Sequence, residues 1–216
     1  MISIVAVNFN SPEFADLLVD SVERTKSEEI EIIIPDNSYK VSYKRKGVVT
    51  FDVGLDHTHG SGLNSGLKKV KTDEVLILDI DCHLLCRGWE EAFRSKLELN
   101  HCVTVPGPPE KPLRPACCFM KSNDARHYDW RATPGYKGHR VTPEGFDVGI
   151  IAYHQMKSQD HSVYFMESTR NNRYGTVIGE EYGIDGKMLV YHQWHATHTE
   201  FRQIDYEIDL NEEKKI

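Results

Sequence analysis

The stretch LILDIDCHLL, residues 76–85, ends an apolar run on two carboxylates one residue apart, Asp79 and Asp81. On extended backbone, residues i and i+2 point to the same side, so both side chains face one point. Two like charges held there repel each other unless a cation lies between them. Carboxylate oxygens suit a hard divalent ion, Mn2+ or Mg2+. A solvated turn is the other reading, because aspartate is common where a buried strand emerges into water.

The elements that must position the pair are visible as periodicity. Apolar runs at residues 2–7, 30–34, 48–53 and 75–78 are short, as strands buried on both faces are. Ser11-Pro12 is a helix start, and Phe14, Leu17, Leu18 and Val22 recur at helical spacing, which predicts a helix over residues 12–25. Shorter helices are predicted over residues 63–70 and from Gly88-Trp89 to residue 99. This alternation predicts an α/β fold with a mostly parallel central sheet flanked by helices. Such sheets take ligands at the carboxyl ends of their strands. Asn8, Asp36 and the Asp79/Asp81 pair each follow such an end, so neighbouring strands would bring them to one crevice.

The second half is less regular. Strands are predicted over residues 102–105, 116–121, 162–166 and 188–192, with a helix over 147–159. Five prolines between residues 106 and 115 argue against helix or central strand there. Residues 123–144 read as a structured loop over the crevice, where Tyr128, Trp130 and Tyr136 could stack on a sugar, a base or nothing. The whole chain is expected to be a single domain, with a regular first half (1–85), a less regular second half (86–204) and a peripheral tail (205–216).

Bulk properties narrow the function classes. A net charge of -7 argues against a broad nucleic-acid face and suits a protein that recruits cations. No apolar run reaches the length of a bilayer span, and MISIVAVNFN reads as a first strand, not a leader. The five cysteines, an odd number with Cys117 and Cys118 adjacent, make a poor disulfide framework and point to a reducing cytoplasm. Cys82 and Cys86 lack a second ligand pair at finger spacing, so structural zinc is not expected.

Three stretches resemble family-two glycosyltransferases of the GT-A fold: ISIVAVNFNSPEFADLLVDSV with EIEIIIPDNS, HGSGLNSGLKKVKTDEVLILDIDCHLL, and GFDVGIIAYHQMKSQDHSVYFME. Together they cover most of residues 1–167, and their order and spacing carry the resemblance more than any one motif. The resemblance implies a metal-dependent transfer of a sugar from a nucleotide-diphosphate donor, a UDP-sugar foremost, to an acceptor that the sequence does not name. The membrane spans and the Gln-x-x-Arg-Trp signature of processive synthases are absent from the sequence.

Residue by residue, the resemblance places Asp36 at the nucleotide base and makes Asp79-Ile80-Asp81 the Asp-x-Asp motif. Asp81 is then the direct metal ligand, and Asp79 contacts the ribose or reaches the metal through water. Gly60, Gly62 and Gly66, with His59 and Asn64, would allow close approach of backbone to the diphosphate. In VYHQWHATHTE, His192, His195 and His198 are candidates for a further metal ligand, with His195 preferred, then His192. Asp147 is the candidate general base of an inverting reaction and Glu144 the fallback, although an aspartate just before a helix is also a good N-cap. Two rivals stay open: a nucleotidyltransferase of related architecture, and a nucleotide-sugar-binding module without turnover.

Overall fold

The computed structural model describes residues 1–38, 43–54, 58–107, 113–131, 148–171 and 179–193, with only the backbone described at 170 and 171. In chain order these form β1 (Ile2–Val5), α1 (Pro12–Thr25), β2 (Ile30–Asp36), β3 (Val48–Asp52), α2 (His59–Leu67), β4 (Glu74–Leu78), β5 (Cys82–Leu84), α3 (Trp89–Leu97), β6 (Cys102–Pro106), β7 (Leu113–Lys121), α4 (Ser122–His127), α5 (Ile150–Ser158), β8 (Val163–Phe165), β9 (Glu167–Asn171), β10 (Gly179–Ile184) and β11 (Lys187–Gln193). Seven strands make the central sheet in the order β3-β2-β1-β4-β7-β6-β8, and four make a second sheet, β5-β11-β10-β9. In the central sheet, β1 pairs in parallel with both β2 and β4, and β7 alone runs against its two neighbours.

Period-two alternation along the strands decides which helix packs where. Ile2 and Ile4 of β1, Ile32 and Ile34 of β2, and Leu76 and Leu78 of β4 face α1 and α3, where Phe14, Leu18, Trp89 and Phe93 are buried. Val5, Ile33, Val75 and Ile77 face the opposite side and meet Leu63 and Leu67 of α2 with Ala152 and Met156 of α5. The second sheet joins the first of these cores through Tyr182, Leu189 and Val190. Both faces of the central sheet are covered, which is why its strands read as continuous apolar runs.

Several expectations are corrected. The proline-rich segment enters a central strand after all: Leu113 and Pro115 lie in β7, between β4 and β6. The β6–β7 register shifts between Thr104 and Val105, and the β4 pairing stops at Cys117, so Pro115 sits where no ladder hydrogen bond is required of it. Residues 122–127 are helical, not loop. Trp130 is fully buried and donates its indole N–H to the Ala125 carbonyl at 2.9 Å, and Tyr128 is 4% exposed, so neither is free to stack on an acceptor. Tyr136 lies outside the described residues. Helix α2 begins at His59, earlier than the apolar periodicity suggested, because Thr58 caps it by accepting from the Ser61 N–H. Helix α5 starts at Ile150 with Gly149 as its N-cap at φ +88, a conformation that side-chain-bearing residues rarely adopt.

Candidate active site

Asp79-Ile80-Asp81 is the corner at which the chain leaves one sheet and enters the other. Asp79 still belongs to the central sheet, its N–H donating to the Ala116 carbonyl of β7 at 3.1 Å. The Asp79 carbonyl then accepts from the Cys82 N–H at 3.0 Å, closing the turn. The Asp81 carbonyl accepts from the Gln193 N–H at 3.1 Å, and Cys82 pairs with His192 across β5 and β11. Each aspartate is thus anchored by backbone to a different sheet, and the two carboxylates sit in the angle between them.

His192 enters that angle from β11. Its Nε2 lies 3.4 Å from Asp81 Oδ1 and 3.9 Å from Asp79 Oδ2. Neighbouring ligands on an octahedral ion with bonds of about 2.1 Å are ~3 Å apart, and opposite ligands ~4 Å apart. The two carboxylates and the ring nitrogen therefore fit a divalent cation. Burial disfavours the imidazolium form of His192, but the carboxylates of Asp81, Asp79 and Glu180 outweigh it and raise its pKa above the ordinary value. Cys82 Sγ lies within 4.8 Å of the Asp81 and His192 ligand atoms. Burial first, then Asp79 and Asp81, push this thiol well above its ordinary pKa, and it donates to the Ala116 carbonyl at 3.1 Å. Hard divalent cations such as Mn2+ or Mg2+ favour oxygen and nitrogen donors over a sulfur, so the carboxylates and the ring nitrogen are the fitting set.

The other residues singled out in the sequence divide clearly. His59 opens α2 and places Nε2 3.5 Å from Asp79 Oδ1. Asp36 does stand beside Asn8, bridged to it across β1 and β2. Both side chains hold their own loop: Asp36 Oδ1 accepts from Asn8 Nδ2 at 3.2 Å and from the Ser38 N–H at 2.9 Å, and Oδ2 accepts from the Tyr43 N–H. Asn8 is fully buried, with its Oδ1 accepting from the Ser11 N–H at 3.2 Å. Asn64 is also engaged, donating to Asp129 Oδ1 at 3.0 Å and accepting from the Trp130 N–H at 3.1 Å. The glycines of α2 have a packing reason. A Cβ on Gly62 would lie 2.9 Å from Val7 Cγ1, one on Gly66 2.6 Å from Val5 Cγ1, and one on Gly60 2.2 Å from the Trp130 carbonyl. Asp147, Glu144, His195 and His198 lie outside the described residues.

Sequence reasoning missed the partners of His192. Its Nδ1 is 3.0 Å from the Tyr182 hydroxyl, which donates to Glu180 Oε2 at 3.2 Å, and Arg114 Nη1 donates to the same oxygen at 3.3 Å. Glu180 and Tyr182 alternate on β10, and Glu180 pairs with His192 across the strands. Two polar residues at i and i+2 beside a glycine were the available signal, but nothing local says that their face is enclosed. A cleft of about 480 Å³ lined by Ser61, Asn64, Lys68, Arg126, Asp129 and Arg131 does not include the carboxylate pair.

No protein family description matches the chain, and no curated protein matches it. Solved structures do. The mannosyltransferase PcManGT from Pyrobaculum calidifontis, in complex with GDP-Man and Mn2+, aligns at a TM-score of 0.51 and 12% identity, over 76% of this chain and 54% of its own. S. aureus TarS 1-349 in complex with UDP gives 0.46 at 14% identity, over 64% and 52%, and an active-site mutant of LgtC gives 0.44 at 15% identity, over 59% and 60%. The chain thus spans about half the length of PcManGT and of TarS 1-349. The fold is that of the GT-A glycosyltransferases, with a mostly parallel central sheet whose carboxyl edge carries the Asp-x-Asp corner. No helix among the described residues is long and apolar enough to cross a membrane.

Proposed function

We propose that the protein is a metal-dependent glycosyltransferase of the hexosyltransferase class, moving a sugar from a nucleotide-diphosphate donor, a UDP-sugar foremost, to an acceptor hydroxyl. The observation that carries this reading is the meeting of Asp79, Asp81 and His192 at the carboxyl edge of a GT-A sheet. Bound Mn2+ or Mg2+ would supply the positive charge that neutralises the departing diphosphate. Asp81 and His192 would hold it directly, with Asp79 on the metal through water or on the ribose, and His195 as a further candidate ligand. PcManGT was solved with a nucleotide sugar and Mn2+, the ligand chemistry we assign to this crevice.

The chain's other residues act on the donor and acceptor. His59 and the N-terminus of α2 offer hydrogen-bond donors on the Asp79 side, where a diphosphate would lie. Asn8 and Asp36 shape the wall for the base by fixing the loop around it. Asp147 is proposed as the base that takes the acceptor proton in an inverting reaction, with Glu144 as the fallback. Helix α5 has Gly149 at its N-cap position. Residues 1–85 would form the donor half and 86–204 the acceptor half of one domain, with residues 205–216 peripheral. A cytoplasmic setting fits the free thiols of all five cysteines.

The test is incubation with a panel of nucleotide sugars, with and without Mn2+, reading released nucleoside diphosphate. Release that needs metal and stops on chelation is expected. Pyrophosphate release from a nucleoside triphosphate would instead make the protein a nucleotidyltransferase, and donor binding without turnover would leave only a binding module.

A further inference from the structure

The hydrogen bonds behind His192 have a direction. Donors meet Glu180 at both oxygens: Arg114 Nη1 and the Tyr182 hydroxyl at Oε2, and the Ser168 hydroxyl at Oε1. A carboxylate so placed only accepts. Tyr182 has a single proton, and it is committed to Glu180. Toward His192 Nδ1, 3.0 Å away, the Tyr182 oxygen can therefore only accept. In the neutral ring this direction puts the proton on Nδ1 and leaves the Nε2 lone pair on the side of Asp81 and Asp79, where the carboxylates otherwise favour a second proton. A lone pair aimed at two anions is unfavourable until a cation enters.

We propose that Tyr182, oriented by Glu180 and Arg114, is a positioning residue that holds His192 in its Nδ1–H tautomer and so presents Nε2 as a metal ligand. This rests on reading the corner as a metal centre. Metal-bound histidines commonly have the other ring nitrogen held by an acceptor, and removing that acceptor weakens binding. Here the acceptor is a phenol, and the carboxylate stands one hydrogen bond behind it. The relay spans both sheets, since Arg114 comes from β7 and Glu180 and Tyr182 from β10. It ties the orientation of the ligand to the way the two sheets are joined.

Two measurements test the proposal. The first is a long-range proton–nitrogen NMR correlation of the imidazoles in metal-free protein, on the alkaline side of their titration, with His192 assigned by its loss in His192→Asn. An Nδ1–H tautomer is expected, and an Nε2–H tautomer would overturn the proposal whatever any variant does. The second is Mn2+ affinity by calorimetry for wild type and Tyr182→Phe, each shown to be folded by its unfolding transition. A loss of roughly 10–100-fold is expected, with the variant's tautomer moving to Nε2–H and its turnover rescued by excess Mn2+. Unchanged affinity with an unchanged tautomer would sink the Tyr182 role. If wild type bound no Mn2+, the metal reading itself would fall, while the wild-type tautomer would still decide the hydrogen-bond direction.

Discussion

At Asp79 and Asp81, two like charges on one side of an extended segment cost free energy unless something positive lies between them. Here the neighbours are the half-buried imidazole of His192 at 3.4 and 3.9 Å and a second histidine, His59, at 3.5 Å. Asp81 is the more enclosed of the two carboxylates, with a side chain 8% exposed against 25% for Asp79. A charge that is out of water depends more on its partner. Asp81→Asn is therefore expected to lower kcat on the order of 10²–10³-fold, since it removes charge stabilisation of the departing diphosphate. Mn2+ affinity should fall with it, and nucleoside diphosphate release together with calorimetry would read both. Equal activity in wild type and variant would remove Asp81 from the metal site.

At the scale of elements, α2 is placed by what its glycines lack. Gly62 and Gly66 let the helix rest on Val5, Val7 and Pro35, closer than any side chain would permit. Gly66→Ala would drive a methyl to within 2.6 Å of Val5 Cγ1 and 2.8 Å of Pro35 Cγ. The expected destabilisation is about 1–3 kcal/mol, the usual size for overpacking a tight contact, and denaturant unfolding would show it. Unchanged stability with weakened donor binding would return the glycines to a phosphate-contacting role. The sequence marks this segment as glycine-rich and leading into a helix, and there its glycines point to ligand approach, not to packing. Only the neighbours of each missing Cβ separate the two.

Across the whole molecule, charge pairs tie the sheet to its covering helix. Glu74, at the start of β4, accepts from Arg94 of α3 at 2.7 Å and from Lys121 of β7 at 2.8 Å. Burial raises the Glu74 pKa, but the hydrogen bonds from Lys121 and Arg94 outweigh it and hold the carboxyl below its ordinary value of 4.5. A carboxylate with a depressed folded pKa contributes stability that is present above its unfolded value and is lost as pH falls through the folded one. Glu74→Gln is thus expected to cost about 1 kcal/mol at neutral pH, since its cationic partners are partly exposed. That cost should vanish in acid below the carboxylate range. Urea unfolding of wild type and variant at both pH values measures it, and a cost that persisted in acid would mean that shape, not charge, is responsible.

The sequence by itself determined the α/β alternation, the parallel β1, β2 and β4, and the carboxylates at their ends. These rest on short-range regularities, the period of apolar residues and the residue types at strand ends, which neighbours in the chain encode. Short polar elements escaped it. Neither β10, with Glu180 and Glu181 enclosed, nor the six-residue α4 has an apolar period to reveal it. Tertiary structure alone placed His192 at Asp81, because β5 and β11 come from distant parts of the chain and their register carries no local signature. It also turned Trp130 from a surface candidate into core, and gave Asn8, Asp36 and Asn64 hydrogen-bond partners within the protein. Residue type tells what chemistry a side chain can do. Which groups are enclosed together, with water excluded, is decided only when the sheets pack.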